Sequence, residues 1–449
     1  MATLLFQLLF FLVPLLASAL PAVTERDGPL TPGEDPFYQP PAGWESTAPG
    51  AILRHRTPPF PVAAFGLAKV NLDASHQILY RTTDSFGEPI TTVTTVLIPH
   101  NADYTKVLSY QVAQDAADPN CSPSFAIQQF SDAGEALALI MPQLEYLFMS
   151  SALNKGWVVI IPDHLGPRSA FLANNLSGQA VLDNIRAALA STKFTKISPQ
   201  ATVTMWGYSG GSLASGFAAE LQPSYAPELK IAGAALGGTV PQILPVIEAS
   251  NKGIFTGLLP AGVQGLANEY PSAQGLIRDN IVPDRWADFN KTQELCLTGN
   301  LIEYLGQDIY TYVKSEDTFT GPVATKLLSE NAMGQNTPQI PLFIYKAVND
   351  EISPVNDTDD LYNTYCSNGA SVEYVRDLLS EHALLTITGG PDAFMWLADR
   401  MSGVPVKKGC TRNTQLTGLA DPRAILALGL DVVRLLLGFL LFPVGPIGR

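Results

Sequence analysis

The stretch that most narrows the choice of fold is Trp206-Gly207-Tyr208-Ser209-Gly210-Gly211-Ser212, preceded by the apolar and β-branched residues 201–205 and followed by the small-residue stretch 213–220. The first flank suits a strand and the second a helix that lies close against its neighbours. Passing from strand to helix within so few residues forces the serine into a sharp turn, where Gly207 and Gly211 omit Cβ atoms that would collide. The turn lifts the Ser209 hydroxyl clear of the backbone. It also aims the free N–H groups and the positive dipole end of the helix at negative charge developing beside that hydroxyl. A glycine-rich turn with a capping serine would explain the glycines but not both flanks.

The rest of the chain supplies a sheet for this turn. Residues 76–83 and 89–99 are β-branched runs bounded by a turn at 84–88, which predicts a hairpin starting an open sheet. Strands are predicted over 107–111, 157–163, 203–206, 231–236, 339–345 and 372–376. Helices are predicted over 144–155, 179–190, 355–365 and 390–402. Strands alternating with helices imply an α/β fold with a mostly parallel central sheet and right-handed crossovers. Between 238 and 337 the pattern changes to helical segments near 242–249, 254–262, 265–268, 276–281, 284–289 and 301–312, without strands between them. This reads as a helical cap inserted after a strand and laid over the C-terminal strand ends, where such sheets bind ligands.

The expected division is therefore a signal peptide at 1–19, a loose Pro- and Gly-rich arm at 20–57, and core at 58–237. A cap at 238–337, core again at 338–423 and an apolar tail at 424–449 complete it. The leader carries an apolar run over 8–16 and then Ala17-Ser18-Ala19, an A-x-A-like cleavage site, although it has no Lys or Arg. The tail is broken by Asp431 and Arg434 and reads as a docked or interfacial helix rather than a span.

With 449 residues, 46% of them hydrophobic and 15% charged, the chain is long and apolar enough for a large core. A net charge of −14 argues against nucleic acid as a partner. Cys121, Cys296, Cys366 and Cys410 are an even number in a chain that reads as secreted, so two disulfides are expected, with three pairings open. Their spacing fits no zinc motif. The sequons at Asn175, Asn290 and Asn356 are expected glycosylation sites on that route.

A serine hydroxyl is a weak nucleophile without an imidazole to take its proton, and the imidazole needs a carboxylate to fix its tautomer. In this kind of fold the order is serine, acid, histidine. Only His382 follows Ser209, so it is the expected base. Asp350, Glu351, Asp357, Asp359 and Asp360 all precede it. Asp350 is favoured as the acid because it comes first after an apolar strand and its turn. Gly210, next to the serine, is expected to donate one N–H to an oxyanion. The loop after the strand at 107–111 should donate the second, and there Asp115 is either that donor or an ordinary turn residue.

Taken together, Ser109-Tyr110-Gln111 with Gln114-Asp115, Cys121-Ser122-Pro123-Ser124, the Ser209 turn, Asn349-Asp350-Glu351 and Glu381-His382 are specific. On these motifs the chain resembles the fungal secretory lipases of the lipase A type, an α/β-hydrolase family, along nearly all of the mature chain. The resemblance implies a triad of Ser209, Asp350 and His382, an oxyanion N–H from Asp115, disulfides Cys121–Cys296 and Cys366–Cys410, and a cap over an acyl-binding tunnel. The expectation is a secreted serine carboxyl-ester hydrolase with no metal or organic cofactor, no obligate protein partner, and transient contact with a lipid interface. The family also includes narrow esterases such as trichothecene C-3 deacetylating enzymes, so a small-acyl esterase is the alternative. A catalytically silent scaffold holding an apolar ligand is the alternative from another class.

Overall fold

The structure is a computed structural model in which residues 28–64, 68–131 and 145–418 are described. The expected signal peptide and the apolar tail lie outside the described residues. Ten strands form one sheet: β1 (Ile52–Arg56), β2 (Ala74–Thr83), β3 (Pro89–Ile98), β4 (Asp103–Gln111), β5 (Trp157–Pro162), β6 (Thr202–Tyr208), β7 (Ile231–Gly237), β8 (Leu342–Ala347), β9 (Val372–Asp377) and β10 (Cys410–Gln415). Their spatial order is β1-β2-β3-β5-β4-β6-β7-β8-β9-β10. The β1–β2, β2–β3 and β3–β5 pairs are antiparallel. Every pair from β5 to β10 is parallel.

Strands in the middle of such a sheet are covered on both faces and become apolar throughout, with alternate side chains entering different layers. In β5, Val158 and Ile160 join one core cluster while Trp157, Val159 and Ile161 join another. In β6 the division is Val203 and Met205 against Trp206 and Tyr208. The first layer is closed by helices α2 (Asn174–Ala190) and α3 (Gly210–Tyr225), through Leu182, Ile185, Leu213 and Phe217. The second is closed by α1 (Tyr146–Asn154) and α11 (His382–Met401), through Phe148, Met149, Leu385 and Phe394.

Between β7 and β8 the chain forms six helices: α4 (Leu244–Ser250), α5 (Leu258–Glu269), α6 (Pro271–Asn280), α7 (Trp286–Asn290), α8 (Leu297–Glu303) and α9 (Pro322–Glu330). Leu259, Leu266, Ile277 and Leu327 of this cap join the first core layer, so cap and sheet share one apolar interior. Cys121–Cys296 joins the segment after β4 to the cap, and Cys366–Cys410 joins the end of α10 (Val355–Ser367) to β10. No helix among the described residues is long and apolar enough to cross a membrane.

Four features depart from the sequence expectations. The arm is not loose along its described length: β1 pairs with β2, Phe37 packs on Leu79 and Val93, and Arg56 bonds Asp35 at 2.6 Å. As an edge strand half open to water, Ile-Leu-Arg-His-Arg has no clean alternation to betray it. Polar β10, Cys-Thr-Arg-Asn-Thr-Gln, was likewise unmarked, because it forms the other edge. Helix α9 lies in a stretch where no helix was expected. Helix α11 begins at His382, eight residues before the predicted start at 390, and carries Pro391 inside it. Gly389 and Gly390 resemble a helix stop in sequence, yet a Cβ on them would collide with Tyr345 and Phe148. Their role is to let the helix lie against the sheet at Tyr345 and against α1 at Phe148.

Candidate active site

Ser209 caps α3 between β6 and the helix with φ 50° and ψ −120°. A left-handed φ on a serine is strained and persists only where the surroundings impose it. Here the Ser209 N–H donates to the Gly237 carbonyl at 2.9 Å, and the Ser209 carbonyl accepts from Ser212 N at 2.9 Å. A Cβ on Gly207 would strike the Gly211 carbonyl, and one on Gly211 would strike that of Gln111, so this turn needs both glycines. The side chain is half-buried with its Oγ 2.9 Å from His382 Nε2.

His382 opens α11 and is buried. Its backbone N–H donates to Glu351 Oε2 at 2.6 Å, and Tyr208 Oη donates to its carbonyl. Nδ1 lies 2.7 Å from Asp350 Oδ2. Asp350 sits in the turn after β8, where its Oδ1 accepts from the N–H groups of Ile352 at 3.0 Å and Ser353 at 2.8 Å. Burial by itself would raise this carboxyl, but the neighbouring His382 and Lys346 and the bonds it accepts hold it well below the usual carboxylate range. The other candidate acids stand elsewhere. Glu351 holds the backbone of His382, Asp359 faces Arg376 at 3.5 Å, and Asp357 and Asp360 lie on α10.

Asp115 follows β4 with φ 44° and lines the same cavity as Ser209 and Gly210. Its own N–H and that of Gly210 both face its carboxyl, which burial pushes up to about 7 despite those bonds and despite His382. The loop is fixed from behind by residues that sequence reasoning did not single out. Glu145 Oε1 accepts from Ala113 N at 3.0 Å, His164 Nε2 donates to the Val112 carbonyl at 2.9 Å, and Gln114 Nε2 donates to Ser169 Oγ at 2.6 Å. Burial raises Glu145 to about 8 and lowers His164 to about 4. Glu145, His164 and Ser169 have no sequence signature, being far from the loop in the chain. Lys346, 2.9 Å from Asp350 Oδ2, was also missed, although a lysine inside Leu-Phe-Ile-Tyr-Lys-Ala is a visible oddity.

From Ser209 a cavity of about 110 Å³ runs under the cap. Its walls are apolar, with Phe171, Leu213, Val246, Leu259, Phe289 and Phe319 among them. One water needs roughly 10–15 Å³ by the same measure, so this space accommodates a run of several carbons. None of the sequon residues lines it: Asn356 is exposed on α10, while Asn175 on α2 and Asn290 on α7 are half-buried. Among the described residues no group of three His, Cys, Asp or Glu is placed to hold a metal ion.

The family model of secretory lipases matches residues 132–409. The chain is 48% identical to lipase A of Arthroderma benhamiae over 94% of this chain and 90% of that protein. It is 39% identical to lipase 5 of Candida albicans over 93% and 90%. Among solved structures it is similar to lipase A of Candida antarctica, at 27% identity and a TM-score of 0.80, covering 94% of this chain and 100% of that one. The closed state of that enzyme gives a TM-score of 0.78. A ten-stranded, mostly parallel sheet, a strained serine at a strand-to-helix turn, and this degree of similarity lead to one assignment: the chain belongs to the secretory lipase family, carboxylic ester hydrolases with the α/β-hydrolase fold.

Proposed function

We propose that the protein is secreted and cleaves lipid esters through an acyl-enzyme on Ser209. The observation that carries this reading is the line from Asp350 Oδ2 through His382 to Ser209 Oγ, with bonds of 2.7 and 2.9 Å, ending at the mouth of an apolar cavity. Ser209 Oγ attacks the ester carbonyl and His382 Nε2 takes its proton; Asp350 keeps the ring in the tautomer that leaves Nε2 free and steadies the charged ring. The N–H groups of Gly210 and Asp115 receive the oxyanion once it displaces the Asp115 carboxyl that they face in the resting chain. A neutral Asp115 favours this displacement, because an ionised carboxylate there would repel the oxyanion. His382 then protonates the leaving alcohol, and water, activated by the same ring, releases the acid. These steps use side chains, backbone N–H groups and water.

The acyl chain belongs in the cavity, whose walls offer an alkyl chain favourable burial of about 0.8 kcal/mol per CH₂. An acetyl-only esterase, of the kind that deacetylates a trichothecene C-3 ester, would leave most of it unused. Two disulfides and the sequons at Asn175, Asn290 and Asn356 suit an oxidising secretory route. The test is initial rates on esters from acetyl to palmitoyl, with Ser209→Ala as the blank. Medium or long chains should turn over fastest, and Ser209→Ala should lose roughly 10⁴-fold or more. Turnover of acetyl esters alone would favour the narrow-esterase reading, and activity surviving in Ser209→Ala would end the acyl-enzyme reading.

A further inference from the structure

Strand β8 is apolar except at Lys346, whose side chain is fully buried. Its Nζ lies 2.9 Å from Asp350 Oδ2 and donates to the Thr239 carbonyl at 2.8 Å. The same Oδ2 atom receives His382 Nδ1 at 2.7 Å. One carboxylate oxygen is therefore shared by an imidazole and an ammonium, while the other is held by two backbone N–H groups. An ammonium is costly to bury and is tolerated where a counter-charge and hydrogen-bond acceptors surround it. Asp350 and the Thr239 carbonyl are those partners.

We propose that Lys346 is a positioning residue of the hydrolytic relay, fixing the Asp350 carboxylate through Oδ2 and screening part of its charge from His382. This rests on the reading of His382 as the base. A carboxylate facing only the imidazole would hold the proton taken from Ser209 more tightly. Sharing its charge with Lys346 weakens that hold, so the proton passes more readily to the leaving alcohol.

The other groups around the pair are acids or phenols. Asp350 and Glu351 come from the loop after β8, Asp115 from the oxyanion loop, Tyr208 from β6, and Asp357 from the first turn of α10. Burial pushes the ammonium down from its ordinary value, and Asp350, Asp357 and Glu351 oppose that. The shared bonds place Lys346 to act through Asp350 rather than on the substrate, since the cavity beside Ser209 does not include it.

The experiment compares the wild type with Lys346→Met and Lys346→Gln, both of which remove the charge. It measures kcat/KM on a soluble short-chain ester across about pH 4–9 and follows the His382 ring by NMR, assigned through His382→Gln among the five histidines. The acid limb of the rate profile and the ring titration should both move up by about one pH unit. A limb and a titration left in place, with any loss of rate uniform across pH, would overturn the proposal. If neither single variant folds, Asp350→Asn is compared with Asp350→Asn/Lys346→Met. The double variant should melt higher, because it removes a buried ammonium that has lost its counter-charge. An equal or lower Tm overturns the proposal by that route. The ring titration does not depend on turnover, so a Ser209→Ala variant that kept its activity would defeat the catalytic reading while leaving this coupling to be judged separately.

Discussion

On one side of Ser209, His382, Asp350 and Lys346 are held by polar contacts of 2.7 to 2.9 Å between particular atoms. On the other side the cavity walls are leucine, isoleucine, valine and phenylalanine contributed largely by the cap, and little besides shape restrains what lies against them. Directional bonds fail when one atom is moved or removed, whereas apolar packing tolerates exchange at constant volume. The two sides should therefore respond differently to substitution: the relay in its rate, the cavity in its choice of acyl chain.

The sharpest way to break this contrast is Asp350→Asn, which keeps the size of the side chain but favours the wrong imidazole tautomer. We expect kcat to fall about 10⁴-fold on every ester alike. A loss under tenfold, or one confined to long chains, would mean that the relay is not the rate-setting side. Filling the cavity tests the other half. Val246→Trp should lower kcat/KM for long-chain relative to acetyl esters by roughly 10–200-fold, while acetyl turnover persists. If both esters decline together, the cap is shaping the relay rather than merely lining a chain.

The smallest expected effect concerns the buried carboxyls of the loop and its surroundings. Burial raises Asp115 and Asp163 to about 7 and Glu145 to about 8. Between the unfolded values near 4 and these, the folded chain keeps protons that the unfolded chain has released. Their stabilising contribution is complete below about pH 4, declines as pH rises through 7 to 8, and then levels off. Glu145→Gln preserves an oxygen for Ala113 N–H and cannot ionise. It should flatten the fall in Tm between pH 5 and pH 8.5, by about 1 °C for each kcal/mol recovered. An unchanged slope would show that Glu145 is not among the groups that make the loop pH-sensitive.

Legibility in the sequence follows the same division. The central strands could be read because residues buried on both faces leave continuous apolar runs, as in Trp-Val-Val-Ile-Ile-Pro of β5. The edges β1 and β10 could not, because one side of each faces water and their composition is that of a loop. Ser209 and His382 stood out through local geometry and through there being only one histidine after the serine. The structure brings them together with Asp350, across 173 residues in one case and 32 in the other. Sequence position favoured Asp350 over Glu351 as the first acid after the strand, but it carried nothing about which way either carboxylate points. One meets the His382 ring and the other its backbone N–H.

What the sequence determined by itself is whatever depends on near neighbours: a strand–glycine–serine–helix turn, the apolar and β-branched runs of the central strands, a helical stretch placed between two strands, and the family these motifs resemble. What the tertiary structure decided is which distant groups share an atom or a wall. It joined Lys346 to Asp350, set Glu145 and His164 behind the Asp115 loop, ran α11 through Gly389, Gly390 and Pro391, and drew cap side chains around one cavity. Propensity and periodicity act over a few residues, whereas these partners are selected by burial, where each polar group must find a counterpart wherever the chain has carried one.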